Sequence, residues 1–412
     1  MRIKPFVTYR PAPSCVSEVA SLPYDVGELK DARALAVGNP KSFLHVERPE
    51  VDLPADAEWP VGIDHQTAAT NLKAFLDEAW LIPDREPSLY LYRIQLGEHV
   101  QTGVVACCHI DDYESNRIKK HEKTKKPVED ARTQHVLTTG SNTGPIFLTY
   151  RDEVAVDLLM TAEQEGPPLY DFTAIDGIRH TVWKLQEPDA MQRAFGKIEC
   201  TYVADGHHRT AAAARAGLQR RANNPGHTGE EEYNWFLTVL FPASHLKVIA
   251  YNRAVEDLHV LDEEAFLARL REVVTVRETE ASRPQRVGAA CMVLGKRWYE
   301  LTWPDVDGAD PVSSLDVSIL QDRVLGPILG VDDPRNNSRV HYFGGFDSVE
   351  RIAAKVSSGE MAVGFSMFPT TVEQLMAIAD ADRIMPPKST WFEPKLRSGL
   401  FVHPIDGIPD TP

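Results

Sequence analysis

The residues best equipped for chemistry lie together at Ala204-Asp205-Gly206-His207-His208-Arg209-Thr210, ahead of an alanine-rich run to Gly217. A short apolar approach, Tyr202-Val203-Ala204, reads as a strand; Asp205-Gly206 turns the chain; Thr210 to Leu218 reads as a helix, with Gly217 expected near its end. Such a junction aims backbone N–H groups at whatever sits before the helix, which suits a phosphate. Arg209 would clamp phosphate oxygens, His207 or His208 would orient a hydroxyl or move a proton, and Asp205 would orient a histidine or bind Mg²⁺. The adjacent histidines have no complete zinc-ligand array beside them.

A second cluster is Lys119-Lys120-His121-Glu122-Lys123-Thr124, a basic stretch in an acidic chain. Lys120 and Lys123 are candidate counter-charges for a phosphorylated ligand, and Glu122 is the preferred general base, with Asp25 its competitor. The segment Asn116–Lys126 is expected to be a solvated helix and loop stopped by Pro127, with a further helix from Glu129. In Met385-Pro386-Pro387-Lys388-Ser389-Thr390-Trp391-Phe392, Lys388, Ser389 and Thr390 offer a cation and two hydroxyls to phosphate, and Lys395, Ser398 and Gly399 continue that candidate pocket. Asp25 and His45 are turn residues able to face a pocket.

The elements that must position these groups alternate along the chain. Short strands are expected at Phe43–Val46, Leu89–Ile94, Thr102–Ile110, Ile146–Tyr150 and Trp235–Phe241, and helices at Asp64–Trp80 and from Leu261. Arg220 and Arg221 are placed in an exposed loop. The fold class is α/β or mixed α+β: a mixed-sheet core with a strand-to-helix phosphate site, and a smaller accessory domain. The boundary is set between residues 258 and 259, so that 1–258 carries the phosphate site and 259–412 forms an accessory or capping domain whose C-terminal motif returns to the cleft.

Composition narrows the classes of partner. The 412 residues are 43% hydrophobic and 25% charged, with 44 basic against 60 acidic side chains and a net charge of −16. That balance disfavours broad nucleic-acid binding. Five scattered cysteines do not make a disulfide framework, and Cys107-Cys108 in an apolar run is expected to pack. No secretory signal and no run of roughly 20 apolar residues is evident, so a cytoplasmic location without membrane partners is expected. Self-association stays open.

The chain resembles the bacterial family of domain of unknown function 1015, through Leu22–Val26, Gly38-Asn39-Pro40 with Ser42–His45, Lys120–Thr124, Ala204–Arg209 and Met385–Phe392. Locally, Asp205–Gly217 also resembles the core motif shared by ParB-like domains, sulfiredoxins and free-serine kinases. That resemblance implies nucleotide or phosphate contacts by Gly206, His207, His208 and Arg209. Gly206-His207-His208-Arg209 lacks the sulfiredoxin cysteine, so peroxiredoxin repair is disfavoured, and no DNA-reading helix is evident. The resulting expectation is a small-molecule phosphotransferase using Mg²⁺ and ATP, ADP or pyrophosphate, with serine or phosphoserine as the substrate that the resemblance implies. Its partner would be a small phosphorylated or hydroxylated metabolite. The alternatives are a non-catalytic nucleotide or metabolite sensor and a ParB-like nucleic-acid regulator.

Overall fold

The computed structural model describes residues 1–54, 65–304 and 310–408. Two compact units emerge: Met1–Leu246 together with Pro394–Pro412, and Lys247–Glu393. The last segment of chain, from Pro394, packs with the first unit. Leading that return are hydrogen bonds from Ser398 N to Ser21 O (2.9 Å) and from Val402 N to Tyr9 O (2.9 Å), and the pairing of His403–Pro404 with Ser141–Asn142.

In the first unit, nine strands among the described residues form one mixed sheet, in the order Ile118–Lys119, Thr201–Asp205, Ile146–Tyr150, Trp235–Pro242, His99–His109, Tyr90–Leu96, Arg179–Lys184, Tyr170–Thr173. Ile3–Lys4 pairs beside His99–His109. The expected hairpin forms: Leu96 pairs with His99 across Gly97-Glu98, where Gly97 takes φ 59° at no steric cost. Thr201–Asp205 runs parallel to Ile118–Lys119 and antiparallel to Ile146–Tyr150. One face of the sheet, including Leu91, Val104, Leu148, Val203, Phe236 and Leu240, is buried with Ala211, Ala213 and Ala214 of the helix His207–Asn223. Small side chains on that helix let backbones approach closely. Cys107 and Cys108 are buried, packing as their apolar setting predicts.

Several local expectations are corrected. Phe43–Val46 is no strand: Leu44–Glu47 is a single helical turn, with Val46 N and Glu47 N both bonded to Phe43 O at 3.0 Å. A run this short has no readable period, and Phe43 finds its place edge-on to Phe75. Pro127 does not stop a helix; it starts one, near the first position of Lys126–Thr139. The missing proline N–H costs nothing there. Ahead of it, Ile118–Lys119 is a strand and the following motif a loop. Gly217 does not end its helix, which continues to Asn223 and carries Arg220 and Arg221 in its last turn instead of an exposed loop. Arg220 pairs with Asp406 at 2.8 Å and Arg221 with Asp111 at 2.9 Å. The expected helix Asp64–Trp80 is found as His65–Asp77, Asp64 lying outside the described residues.

The second unit holds a six-stranded antiparallel sheet in the order Thr275–Thr279, Arg297–Thr302, Ala289–Leu294, Val363–Met367, Asn252–Val255, Val340–Phe343. Helix Ser348–Ser357 packs Ile352 and Val356 against Ala254 and Val293 of that sheet. Lys247–Ile249 pairs separately with Trp391–Glu393, an extended stretch within what the sequence presents as an anchoring loop. Among the described residues no helix is long and apolar enough to cross a membrane.

Candidate functional site

Strand Thr201–Asp205 feeds directly into helix His207–Asn223 through Gly206, which sits in the left-handed region at φ 91°. A Cβ there would lie 3.1 Å from Arg209 Nε, so glycine answers both the backbone conformation and the space. No side chain caps this helix. Its first N–H groups, which have no intrahelical acceptor in any helix, receive none from the N-cap residue either, and they carry the positive end of the helix dipole. Thr210 locks the turn from within, its hydroxyl donating to Gly206 O at 2.9 Å.

The Asp205 carboxylate is held on both oxygens. Gly206 N donates to Oδ1 at 2.8 Å, and Lys395 Nζ to Oδ2 at 2.9 Å. Burial alone would raise its pKa, but Lys395, then Arg209, and these hydrogen bonds hold it well below the ordinary carboxylate value. Arg209 is buried; Nη1 donates to Pro145 O at 2.7 Å, and Nη2 lies 4.0 Å from Asp25 Oδ2. Burial opposes its charge, yet Asp25, Asp205, Tyr24 and Glu47 around it keep it protonated.

His207 opens the helix with a side chain 7% exposed. Burial lowers its pKa from 6.5 to about 4, against the pull of Asp205 and with help from His208 and Lys120. Its Nδ1 lies 3.9 Å from Glu122 Oε2, while Nε2 has no hydrogen-bond partner among the described residues. His121 stands edge-on behind it, ring centroids 4.4 Å apart. Burial, then His207, holds His121 neutral too, and neither of its nitrogens makes a well-formed hydrogen bond; the Val203 backbone adds only a weak interaction. Two neutral imidazoles thus lie at the mouth of the helix.

Around this junction the structure gathers Asp25, Lys120, Glu122 and Asp205–Arg209 in the first unit. Lys120 Nζ rests 4.0 Å over the Tyr113 ring, Lys123 is exposed on the same loop, and Glu122 and His208 are partly exposed. Thr124 Oγ1 donates to Glu129 (2.7 Å), and Arg215 bonds Glu129 and Asp130 (2.7 and 2.8 Å), tying the loop and its helix to the central one. His45 is placed otherwise. Its ring nitrogens engage Asp52 at 2.6 Å and Asn39 O at 3.1 Å, on a recess of about 400 Å³ shared with Arg33 and Gly38-Asn39-Pro40. Lys388, Ser389 and Thr390 belong to the second unit. There Lys388 Nζ stands 5.3 Å over Tyr251, and Ser389 donates to Pro386 O at 2.8 Å.

Other residues were not visible as site residues in the sequence. Glu47 is fully buried, bonded by Arg132 Nη2 at 2.9 Å and Thr143 Oγ1 at 2.5 Å. Burial would raise its pKa; Arg132, His135, Thr143 and Arg209 together lower it. Arg132 also stacks 4.1 Å over Tyr24, next to Asp25. Gly144 lets the loop close, since a Cβ would meet Ser398 Oγ at 2.8 Å and Glu47 Oε1 at 3.2 Å. Glu47 sits in an ordinary-looking Val46-Glu47-Arg48 run, so nothing local distinguishes it.

The residues do not fit a divalent cation held on Asp205. An ammonium already stands on Oδ2 and a backbone N–H on Oδ1. Among the described residues, no group of three or more His, Cys, Asp or Glu is arranged to hold a metal ion.

Fold and site together describe a mixed α/β protein in which Asp25, His121 and Glu122 approach the point where a sheet strand enters a helix. The chain belongs to the protein family of unknown function DUF1015, whose pattern matches residues 3–318. No curated protein matches it. Among solved structures it is similar to a free serine kinase in complex with AMP, at 15% identity over 70% of this chain and 86% of that one, with a TM-score of 0.36. A C-terminally truncated SbnI from Staphylococcus aureus gives 10% identity, 73% and 87% coverage and 0.39. A conserved hypothetical protein from Pyrococcus furiosus gives 15%, 73%, 95% and 0.37.

Proposed function

We propose that the chain is a small-molecule phosphotransferase that takes the phosphates of ATP, ADP or pyrophosphate at the mouth of helix His207–Asn223. The observation that carries this reading is the uncapped helix start beside neutral His207, with its buried, unpartnered Nε2 and with Glu122 at 3.9 Å. Helix N–H groups and the dipole favour an anion there. Buried Arg209 adds fixed positive charge from behind the turn, and Lys120 and Lys123 add it from the facing loop.

In the forward reaction, Glu122 accepts the proton of a substrate hydroxyl, with Asp25 as the competing base. The hydroxyl oxygen forms a bond to the terminal phosphorus as the bond to the donor's bridging oxygen breaks, and the electron pair leaves with the shortened donor. In this reading His207 Nε2, unpartnered in the packed chain, would turn to hydrogen-bond the transferring group, and His208 would orient the hydroxyl. The local resemblance of Asp205–Gly217 to ParB-like domains and free-serine kinases supports a phosphate reading of the junction and makes serine or phosphoserine the first substrates to try.

A product-resolved assay with serine or phosphoserine and each phosphate donor tests this directly. Glu122→Gln is expected to lower kcat about 100-fold while leaving nucleotide affinity within about threefold. If no donor yields a phosphorylated product, or the glutamine variant turns over normally, the assignment fails in the first case and the base lies elsewhere in the second. Retained nucleotide without turnover would point to a sensor.

A further inference from the structure

Lys395 is the second residue after the inserted unit Lys247–Glu393, far in sequence from the motif it meets. Its side chain is 10% exposed, and its Nζ lies 2.9 Å from Asp205 Oδ2 while Gly206 N–H holds Oδ1 at 2.8 Å. One carboxylate therefore holds an ammonium and the turn amide side by side, two residues before an uncapped helix whose first side chain, His207, buries an unpartnered Nε2. A carboxylate this close to a phosphate would repel it unless a cation neutralised it. In many phosphate sites that cation is a metal; the cation on Asp205 is the Lys395 ammonium.

We propose that Lys395 Nζ serves as a built-in cation of the phosphate site, standing where a divalent metal would stand on Asp205 and making anion binding at this junction independent of Mg²⁺. The inference rests on the phosphate reading given above. Lys395 acts in two ways. It cancels the Asp205 charge, and it adds a donor beside the turn for a phosphate oxygen of a nucleoside diphosphate, pyrophosphate or a phosphorylated metabolite. Asp205 in turn fixes the ammonium, so the pair is a positioning device and the carboxylate is closed to metal.

Calorimetric titration of the full chain with ADP and with pyrophosphate, in EDTA and in excess Mg²⁺, tests the assignment. For the wild type, affinity in EDTA should stay within about threefold of that in Mg²⁺, whereas Lys395→Met should lose about tenfold or more in EDTA, a charge-assisted hydrogen bond being worth that much. Part of the loss should return with Mg²⁺, because Asp205 is then open. The double variant Lys395→Met with Asp205→Asn removes both members of the pair and guards against a folding defect. It should keep the wild-type unfolding midpoint, lose affinity like the single variant and gain nothing from Mg²⁺. Full recovery of affinity in the double variant would reduce Lys395 to a mere partner of Asp205 and overturn the proposal, as would a wild type that binds either probe only with Mg²⁺. A wild type that binds neither probe under either condition removes the phosphate reading itself, and this proposal with it.

Discussion

Protonation at the junction is decided by burial. His207, lowered from 6.5 to about 4, and His135, lowered to about 3 by burial and then by Arg132, are neutral when folded and free to protonate when unfolded. Between those values and 6.5 the unfolded chain binds more protons, so stability rises with pH and is lost as pH falls. For His207 alone the shift corresponds to on the order of 3 kcal/mol. Glu47 and Asp205, both held below the ordinary carboxylate value, have the same sign lower down: their contribution is present above about pH 4 and lost as acid protonates them. Thermal unfolding followed from pH 7.5 to 4.5 should therefore show the midpoint falling from about pH 6.5 downward, well before ordinary carboxylates titrate. His207→Gln should flatten that slope. A midpoint constant down to pH 5 would contradict a buried neutral His207.

Among the elements, helix His207–Asn223 does most to position the site, and its glycines serve different ends. Gly206 shapes the turn, whereas Gly217 is a packing residue: a Cβ would lie 2.3 Å from Tyr233 O and 3.1 Å from Ile110 Cδ1. Alanine at a helix interior is favoured over glycine by about 1 kcal/mol. A 2.3 Å contact with backbone cannot be relieved by a rotamer change, and overpacking costs about 1–3 kcal/mol or more. The clash should win. Gly217→Ala is expected to destabilise the protein by about 2 kcal/mol in urea titrations, and a stabilised variant would show that the turn Glu232–Asn234 can move away from the helix. This conflict between propensity and packing is why Gly217 reads as a helix end in the sequence and yet lies inside a helix.

For the whole molecule, the consequential feature is the return of the chain to the first unit after Glu393. The returning segment supplies Lys395 to Asp205, Arg397 to His180 (3.2 Å) and Asp176, Ser398 to the Ser21 pairing, and His403 to Glu232 (3.1 Å). Arg397 and His403 are buried, so their loss leaves polar partners without a mate inside the unit. A chain ending at Glu393 should lose cooperative unfolding of the first unit, seen as a broadened denaturation curve and earlier amide exchange in strand Arg179–Lys184. Unchanged exchange there would mean that the returning segment is an ornament.

Local chemistry was readable without a structure where neighbours in sequence are also neighbours in space. The strand, turn and helix of 201–218, the hairpin around Gly97-Glu98 and the packing of Cys107-Cys108 all follow from short-range pattern, because propensity and alternation act over a few residues. The approach of Asp25 to Arg209, of His121 to His207 and of Lys395 to Asp205 depends on chain reversals that no local pattern encodes. So does the burial of Glu47 under Arg132 and Thr143. Charge states followed the same division: residue types told which groups can ionise, but desolvation and neighbours decided that His207 is neutral and Asp205 is paired, and both are properties of the packed chain.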